Sequence, residues 1–240
     1  MDAAATRFTE VRWFASIDST NRYLLDEAAR GAPEGVVAVA DVQTAGRGRL
    51  GRTWTSPPGA SLLVSVLLRP RLPPGRRHLV TLAAGVAAVD AVRELAGAPA
   101  ALKWPNDVVV HDRKLAGILA EASGDAVVVG MGCNVHWDEP PDELRGIATA
   151  CNLCGTRPVT RERLLEAWLA AYDARLRDLD GVADAAARRS ATLGRRVRAL
   201  LAHETVEGVA ERLTEDGHLV IATAGGAERE IAAGDVVHLR

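Results

Sequence analysis

The sequence predicts an α+β protein with a larger domain over residues 1–190 and a small β-barrel over residues 191–240. The length of 240 residues suits one large domain joined to a small one. Apolar residues recur at helical spacing over residues 78–95 and 161–179, between apolar runs of the strand type. From about residue 192 the pattern changes to short strands separated by turn signals, which indicates the barrel.

The first helix is predicted to follow a short strand over residues 11–17. Ser19 or Thr20 suits the N-cap of this helix, and Gly31 suits the position after its last turn. Hydroxyl groups and the amide of Asn21 at a helix start also suit the binding of a polar ligand. The sequence leaves both interpretations open, helix capping alone and ligand binding.

A strand over residues 36–40 leads into residues 43–54, which read QTAGRGRLGRTW and are named the glycine–arginine loop. Amides next to glycine can approach phosphate oxygens closely, and guanidinium groups supply forked hydrogen-bond donors. The loop is therefore predicted to bind a polyanion, with a solvated basic turn as the alternative. Its glycines and arginines are Gly46, Arg47, Gly48, Arg49, Gly51 and Arg52.

Two phosphate-binding motifs match this loop by spacing alone. Gly46, Gly48 and Gly51 spell GxGxxG, and residues 46–53 differ from a P-loop at one position. Both motifs need a helix that begins at the last glycine. The two prolines and the glycine of residues 57–59 make a helix there unfavourable. We therefore reject both motifs and expect a mobile basic loop that ends in an aromatic residue.

The middle of the chain is predicted to form a sheet. A bend over residues 102–107 precedes two strands joined by a turn at residues 111–113. The glycines of residues 130–134 indicate close approach of the backbone to a ligand, and residues 147–156 are expected to form a loop. The expected strands are 61–68, 108–110, 114–121 and 125–135, followed in the barrel by 196–202, 204–213, 218–222 and 236–239.

The composition argues against several classes of protein. A net charge of -2 gives no bulk attraction for nucleic acid. No apolar run approaches the length of a membrane span, and residues 1–10 lack the apolar core of a signal peptide. The odd number of cysteines fits a reducing cytosol, so we expect a cytoplasmic protein. Cys151 and Cys154 have CxxC spacing without a second pair, so we expect ordinary thiols rather than zinc or redox chemistry.

Polar residues lie at several predicted strand ends and turns, at Lys103, Asn106, Asp107, Lys114 and Asn134. A lysine at the head of an apolar strand, such as Lys114, either extends to solvent or serves a site. Beside a basic loop and the Asn106–Asp107 pair, it indicates an anion and metal site. Asp107 can hold Mg²⁺ through one carboxylate when substrate phosphates supply other ligands.

These motifs, in their order and separation, resemble those of the biotin protein ligases. The resemblance implies a mixed-sheet catalytic domain of the biotin/lipoate ligase type, with helices packed on the sheet, and a small C-terminal β-barrel. It covers roughly residues 17–134. The matching motifs are residues 46–54, 103–107 and 114–119, supported by Ser19-Thr20-Asn21, Gln43 and residues 130–134.

The resemblance also implies a two-step ligase reaction. The carboxylate of biotin attacks the α-phosphate of MgATP, which gives biotinyl-5′-AMP and pyrophosphate. One lysine of a biotin carboxyl carrier domain, in acetyl-CoA carboxylase or a related carboxylase, then forms the amide and releases AMP. Arg47, Arg49, Lys103, Lys114 and Mg²⁺ are expected to screen the like charges that meet in the first step.

The same resemblance implies roles for individual residues. Lys114, Arg49 and Asp107 are the expected catalytic residues, with Asp107 as the metal ligand or as the group that positions the acceptor lysine. Lys114 is expected to contact the carboxylate and the α-phosphate, and Trp54 to pack on adenine. Biotin is expected to bind Ser19, Thr20, Asn21 and Gln43. The other expected binding residues are Gly46, Arg47, Gly48, Lys103, Asn106, Gly117 and Asn134.

Several alternatives remain at this point. Only 18 residues precede Ser19, too few for the helix-turn-helix domain of some members, so we expect a monofunctional ligase that does not bind DNA. A lipoate or octanoate ligase or transferase is the nearest rival, and residues 46–54 with residues 103–107 argue against it. A non-catalytic biotin sensor and a nucleic-acid binder are rivals from other classes. The sequence does not decide between a monomer and a homodimer.

Overall fold

The computed structural model describes residues 6–239, and its strands form two separate sheets. The larger sheet contains β1 (Glu10–Phe14), β2 (Val36–Ala40), β3 (Ser61–Leu68), β4 (Ala101–Lys103), β5 (Asp107–Val110), β6 (Arg113–Ser123) and β7 (Ala126–Asn134). The smaller sheet contains β8 (Arg196–Leu200), β9 (Thr205–Leu213), β10 (Leu219–Ala222), β11 (Glu228–Ile231) and β12 (Asp235–His238). The helices are α1 (Thr20–Ala29), α2 (Leu79–Ala96), α3 (Cys151–Cys154), α4 (Arg161–Arg177) and α5 (Val182–Ala187).

The larger sheet is mixed. Its seven strands lie in the order β1-β2-β3-β7-β6-β5-β4, and β1 runs parallel to β2 while the other neighbours are antiparallel. The five strands of the smaller sheet are antiparallel and lie in the order β11-β10-β9-β8-β12. The α+β prediction, with a small C-terminal all-β domain, is therefore confirmed.

The two faces of the larger sheet are covered unequally. Alternate strand residues point to opposite faces, so Val37 and Val39 join the main core with α2 and α4, whereas Val36 and Ala38 pack with α1. The main core is rich in buried valine, leucine and alanine. The short helix α1 contacts β2, β3, β6 and β7 and leaves part of this face of the sheet uncovered. The glycine–arginine loop lies over the uncovered part.

Four elements differ from the sequence prediction. The residues expected to form a loop at 147–156 include the short helix α3, and the bend expected at residues 102–107 begins with β4. Neither α5 nor β11 was predicted. The sequence VADAAA of α5 lacks large apolar residues, and the first three residues of the EREI strand β11 are exposed, so neither has the apolar periodicity that reveals an element.

The smaller sheet packs against the larger domain through its β9–β10 turn. Trp104 Nε1 donates to the Gly217 carbonyl at 3.0 Å, and the His78 and His218 rings stack with centroids 5.0 Å apart. Arg76 pairs with Asp216 at 3.0 Å. These contacts place the C-terminal sheet beside the bend that carries Asn106 and Asp107.

The part of the chain that the structure describes contains no helix with the length and apolar character needed to cross a bilayer. The expectation about a signal peptide concerned residues 1–10, of which residues 1–5 lie outside the described residues. Cys133, Cys151 and Cys154 are all free thiols.

Candidate active site

A pocket of about 120 Å³ lies under the glycine–arginine loop, between the start of α1 and strands β3, β6 and β7. Its lining unites residues that are far apart in the sequence. Of the predicted site residues, those that line it are Ser19, Thr20, Asn21, Gln43, Arg47, Gly48, Arg49, Trp54, Asn106, Asp107, Lys114 and Gly117. Gly46, Lys103 and Asn134 are not part of this lining.

The glycine–arginine loop is a tight hairpin. Gly48 N donates to the Arg52 carbonyl at 2.7 Å, and Trp54 N donates to the Gly46 carbonyl at 3.0 Å. Leu50 has a φ of 56° inside a single 3₁₀ turn, so no α-helix begins at the last glycine of the motif. The rejection of the Rossmann and P-loop motifs is thus confirmed. A Cβ atom at Gly46 would collide with the Trp54 carbonyl oxygen, so this glycine allows the hairpin to close.

Trp54 lies across two glycines of the sheet. A Cβ atom at Gly132 would be 2.5 Å from Trp54 Cε2, and one at Gly117 would be 3.1 Å from Trp54 Cζ3. Lys114 Nζ lies 5.5 Å from the centre of the indole ring, which is cation–π distance. Within residues 6–239, the buried Trp54 Nε1 has no hydrogen-bond partner. Gly132, one of the glycines expected to allow close approach of a ligand, and Gly117 therefore make room for this indole.

Lys114 and Asp107 form an ion pair at the floor of the pocket. Lys114 Nζ lies 2.8 Å from Asp107 Oδ1, and the side chains are 35% and 23% exposed. The Lys114 backbone also pairs with the segment before α3, since its N–H donates to Ile147 and its carbonyl accepts from Thr149, both at 2.8 Å. Lys114 is therefore fixed at both ends, with its backbone bonded to the segment before α3 and its ammonium group paired with Asp107.

Arg49 connects the loop to the bend and to the C-terminal sheet. Its Nη1 donates to Asn106 Oδ1 at 2.8 Å, and its Nη2 donates to the Gly234 carbonyl at 3.2 Å. Asn106 Nδ2 in turn donates to the Ile118 carbonyl at 2.9 Å. Burial lowers the pKa of the Arg49 guanidinium. The group remains charged at neutral pH because the ordinary pKa of arginine lies far above 7. Nearby, Arg52 Nη2 lies 3.1 Å from Asp235 Oδ1.

The start of α1 contributes capping and side-chain hydrogen bonds. Ser19 Oγ accepts from the Arg22 N–H at 3.4 Å, so Ser19 is the N-cap. Gln43 Oε1 accepts from the Thr20 N–H at 2.8 Å, and Thr20 Oγ1 lies 2.7 Å from Ser65 Oγ. In the described part of the chain, Gln43 Nε2 has no hydrogen-bond partner.

Asn21 is saturated by protein groups. Its Nδ2 donates to the Leu119 carbonyl at 3.2 Å and to Glu121 Oε2 at 2.8 Å, while its Oδ1 accepts from Ser65 Oγ at 2.6 Å. Glu121 Oε2 also accepts from Arg47 Nη2 at 2.9 Å. Sequence reasoning missed Ser65 and Glu121. Ser65 carries a signal, a hydroxyl inside an otherwise apolar strand, whereas Glu121 near a strand end carries none.

Two predicted binding residues have other partners or places. Asn134 is buried, donates through Nδ2 to the Thr149 carbonyl at 3.0 Å and accepts from Ser61 Oγ at 3.2 Å. Lys103 ends β4 near His238, and burial together with the Lys103 charge lowers the pKa of that histidine. Substrate binding by Asn134 and Lys103 stays a prediction.

Comparison with known proteins agrees with this geometry. Residues 13–138 match the model of the Biotin/lipoate A/B protein ligase family, and residues 192–239 match the Biotin protein ligase C terminal domain. The fold and the pocket together define a protein of the biotin/lipoate ligase class.

Individual relatives narrow the class. The Biotin--[acetyl-CoA-carboxylase] ligase of Mycobacterium tuberculosis is 41% identical over 236 residues, 94% of this chain and 88% of that protein. The bifunctional ligase/repressor BirA of Bacillus spizizenii is 37% identical over 68% of this chain and 52% of its own length. The Aquifex aeolicus biotin protein ligase, solved with biotin and ATP, superposes with a TM-score of 0.86 at 31% identity and covers 97% of this chain and 100% of its own. The chain belongs to the biotin protein ligases of this family.

Proposed function

We propose that this protein activates biotin with MgATP to biotinyl-5′-AMP and transfers the biotinyl group to a lysine of a biotin carboxyl carrier domain. The observation that carries the proposal is the convergence of Lys114, Arg47 and Arg49 on one small pocket that also holds the amides and hydroxyls of α1. Such a pocket suits a neutral polar ring at one end and a carboxylate–phosphate reaction at the other.

The first step needs positive charge where two anions meet. The biotin carboxylate attacks the α-phosphorus of ATP, the bond to the bridging oxygen breaks, and pyrophosphate leaves. We assign Lys114 to the carboxylate and the α-phosphate, and Arg47 and Arg49 to the phosphate oxygens. Lys114 is pre-positioned by Asp107 and Arg49 by Asn106, so these cations need little rearrangement to stabilise the transition state.

At the other end of the pocket we assign the ureido ring of biotin to Ser19, Thr20 and Gln43. The Gln43 Nε2 donor lacks a partner among residues 6–239 and is thus available to the ureido carbonyl. Asn21, by contrast, has both amide hydrogens and its oxygen engaged. We therefore assign Asn21 a structural role, in which it connects α1 to Ser65, Leu119 and Glu121. Biotin would contact Asn21 directly only by displacing one of these partners.

For the nucleotide we assign Trp54 to packing against the adenylate, with Gly46, Gly48 and Gly117 allowing close approach of the backbone. The unpartnered indole N–H supports this assignment because a ligand oxygen would satisfy a buried donor. Lys103 and Asn134 are proposed as nucleotide-binding residues on the family resemblance alone.

Mg²⁺ is proposed to arrive with ATP. Asp107 is the one carboxylate in the pocket lining, and within residues 6–239 no group of three histidine, cysteine or carboxylate side chains could form a metal cage. This donor set fits an ion held by substrate phosphates and a single protein carboxylate. Bound there, Mg²⁺ would neutralise charge on the polyphosphate. The alternative for Asp107 is to position the acceptor lysine in the second step.

The second step requires an acceptor outside this chain. The uncharged ε-amine of a carrier lysine attacks the carbonyl of the mixed anhydride, the bond to phosphate breaks and AMP leaves. We propose the biotin carboxyl carrier domain of acetyl-CoA carboxylase or a related carboxylase as this partner, in the cytoplasm.

An ATP–pyrophosphate exchange assay tests the first step. With MgATP and labelled pyrophosphate, label should enter ATP only when biotin is present, and lipoate or octanoate should not replace biotin. Exchange with lipoate would favour the rival acyl ligase. Biotin binding without exchange would identify a sensor and reject the proposal. Transfer to a purified carrier domain, and its loss when the acceptor lysine becomes arginine, tests the second step.

A further inference from the structure

Glu121 joins the first turn of α1 to the glycine–arginine loop. Its Oε2 accepts from Asn21 Nδ2 at 2.8 Å and from Arg47 Nη2 at 2.9 Å. The Glu121 side chain is 25% exposed, whereas Asn21 is buried. Because one oxygen serves both donors, a movement of either donor changes the geometry available to the other.

The contacts behind Asn21 form a directed chain of hydrogen bonds. Asn21 Oδ1 accepts from Ser65 Oγ at 2.6 Å, which uses the single hydroxyl proton of Ser65. In the 2.7 Å contact between Ser65 and Thr20, Thr20 Oγ1 must therefore be the donor, in preference to its longer 3.0 Å approach to Gln43 Oε1. The chain runs from Thr20 through Ser65 and Asn21 to Glu121.

The sheet is shaped to admit this chain. A Cβ atom at Gly130 would collide with Asn21 Oδ1 and lie 3.1 Å from Ser65 Oγ. The absence of a side chain at Gly130 thus allows Asn21 to approach β7 closely enough to reach Glu121 on the neighbouring strand. The carboxylate is consequently connected, through buried groups, to the part of the pocket assigned to the ureido ring.

We propose that Glu121 is a positioning residue that couples occupancy of the pocket beside α1 to closure of the glycine–arginine loop over the phosphates. The inference rests on the proposed function, because it places biotin at Thr20 and Gln43 and the nucleotide at the loop. A ligand bonded to Thr20 orders the hydrogen bonds that lead to Glu121. Glu121 then holds Arg47 in the closed position, where it favours nucleotide binding.

Glu121→Gln separates this role from a merely structural one. Glutamine keeps a neutral acceptor for Asn21 but loses the charge that attracts Arg47. The measurement is calorimetric titration with α,β-methylene-ATP, with and without saturating biotin. In the native protein, biotin should tighten binding of this analogue about 5–150-fold. In the variant this ratio should fall to below about twofold, while biotin alone binds within about threefold of native.

A matched control is available in the C-terminal sheet. Glu207 pairs with Arg198 at 2.5 Å, both side chains are about half exposed, and neither lines the pocket. Glu207→Gln therefore removes a similar ion pair outside the site and should keep the native ratio. A Glu121→Gln variant with the native ratio would overturn the inference. So would a parallel loss of both affinities with the ratio intact, since that indicates a structural role.

A second measurement does not depend on biotin. Trypsin can cleave after Arg47, Arg49 and Arg52, and the unliganded Glu121→Gln protein should be cut in this loop several-fold faster than Glu207→Gln. Equal rates would show that Glu121 does not hold the loop. If the native protein failed to bind biotin, the proposed function would be rejected. The trypsin rates would still show whether Glu121 holds the loop.

Discussion

The ammonium group of Lys114 lies 2.8 Å from the carboxylate of Asp107. A register shift between Val108 and Val109 makes this contact possible, because β5 and β6 pair Asp107 with Gly117 and Val109 with Lys114. The Lys114 side chain must therefore extend forward along its strand, past Gly117, to reach Asp107. The pair is partly exposed, so its contribution to folding is small and its value lies in the placement of a positive charge.

Lys114→Met should reduce biotin-dependent pyrophosphate exchange by about 100-fold or more, because it removes one donor to the developing charge. Methionine keeps most of the apolar stem, so the melting temperature should stay close to native. The control is Arg198→Met at a partly exposed position of the C-terminal sheet, which should keep native exchange. Native exchange in Lys114→Met would remove Lys114 from the mechanism.

Asp107→Asn decides between the two roles of this carboxylate. If Asp107 holds Mg²⁺, the Mg²⁺ concentration for half-maximal pyrophosphate exchange should rise by about tenfold. If it instead positions the acceptor lysine, exchange keeps its Mg²⁺ dependence and only transfer from preformed biotinyl-AMP to the carrier slows. We expect the first result. Unchanged exchange and transfer would exclude both roles.

Arg49→Gly should loosen the retained adenylate. Arg49 connects the loop to Asn106 and to the Gly234 carbonyl, and glycine loses both contacts. Biotinyl-AMP should then escape and label lysines of a bystander protein such as serum albumin, which avidin blotting detects. The exposed Arg71→Gly serves as the control. An equal level of bystander labelling in both variants would contradict a retaining role for the loop.

Gly132→Ala should disturb the site through packing. The new Cβ would lie 2.5 Å from Trp54 Cε2, so the indole must move away from the sheet. We expect a loss of about 1–3 kcal/mol in the free energy of unfolding, the usual cost of overpacking, and weaker nucleotide binding. Gly225→Ala, where a Cβ meets nothing within 4 Å, should be neutral in urea denaturation and in binding. If the two variants had the same stability in urea and the same binding, Trp54 would not pack on Gly132.

The buried Cys133 and the partly buried Cys154 should react slowly in the folded protein. The contact with Cys151, followed by burial, raises the pKa of the Cys133 thiol well above its usual range, and burial raises the pKa of Cys154. A raised pKa means less thiolate at a given pH, so reaction with a disulfide reagent at pH 8 should be much slower than after denaturation. Rapid titration of all three thiols in the native state would contradict this packing.

The sequence predicted much of this site because its chemistry is local. Ser19 as one of two N-cap candidates, a non-helical loop around Gly46, and Lys114 near the Asn106–Asp107 pair follow from capping, the two prolines after the loop and a short turn between strands. These features depend on neighbours within a few positions, which a single sequence displays. The strand glycine at Gly132 also indicated a close approach, although the group that approaches is an indole of the same chain.

Long-range partners were not visible in the sequence. Glu121 contacts residues 74 and 100 positions away, and no periodicity records such contacts. Asn134 was expected near the nucleotide, yet its amide is engaged by Thr149 and Ser61. A polar residue at a strand end looks the same in the sequence whether it meets a ligand or a backbone carbonyl. Its identity as one or the other depends on tertiary packing.

The ion pair between Arg52 and Asp235 has an evolutionary consequence. Together with the bond from Arg49 to the Gly234 carbonyl, it connects the start of β12 to a loop that begins nearly two hundred positions earlier. The C-terminal domain thus helps to hold this loop in place. Substitutions in the terminal domain can therefore appear as promiscuous tagging of wrong proteins rather than as lost turnover. Selection for fidelity would then act on the two domains together, and swapping the terminal domain between relatives should exchange accuracy more readily than speed.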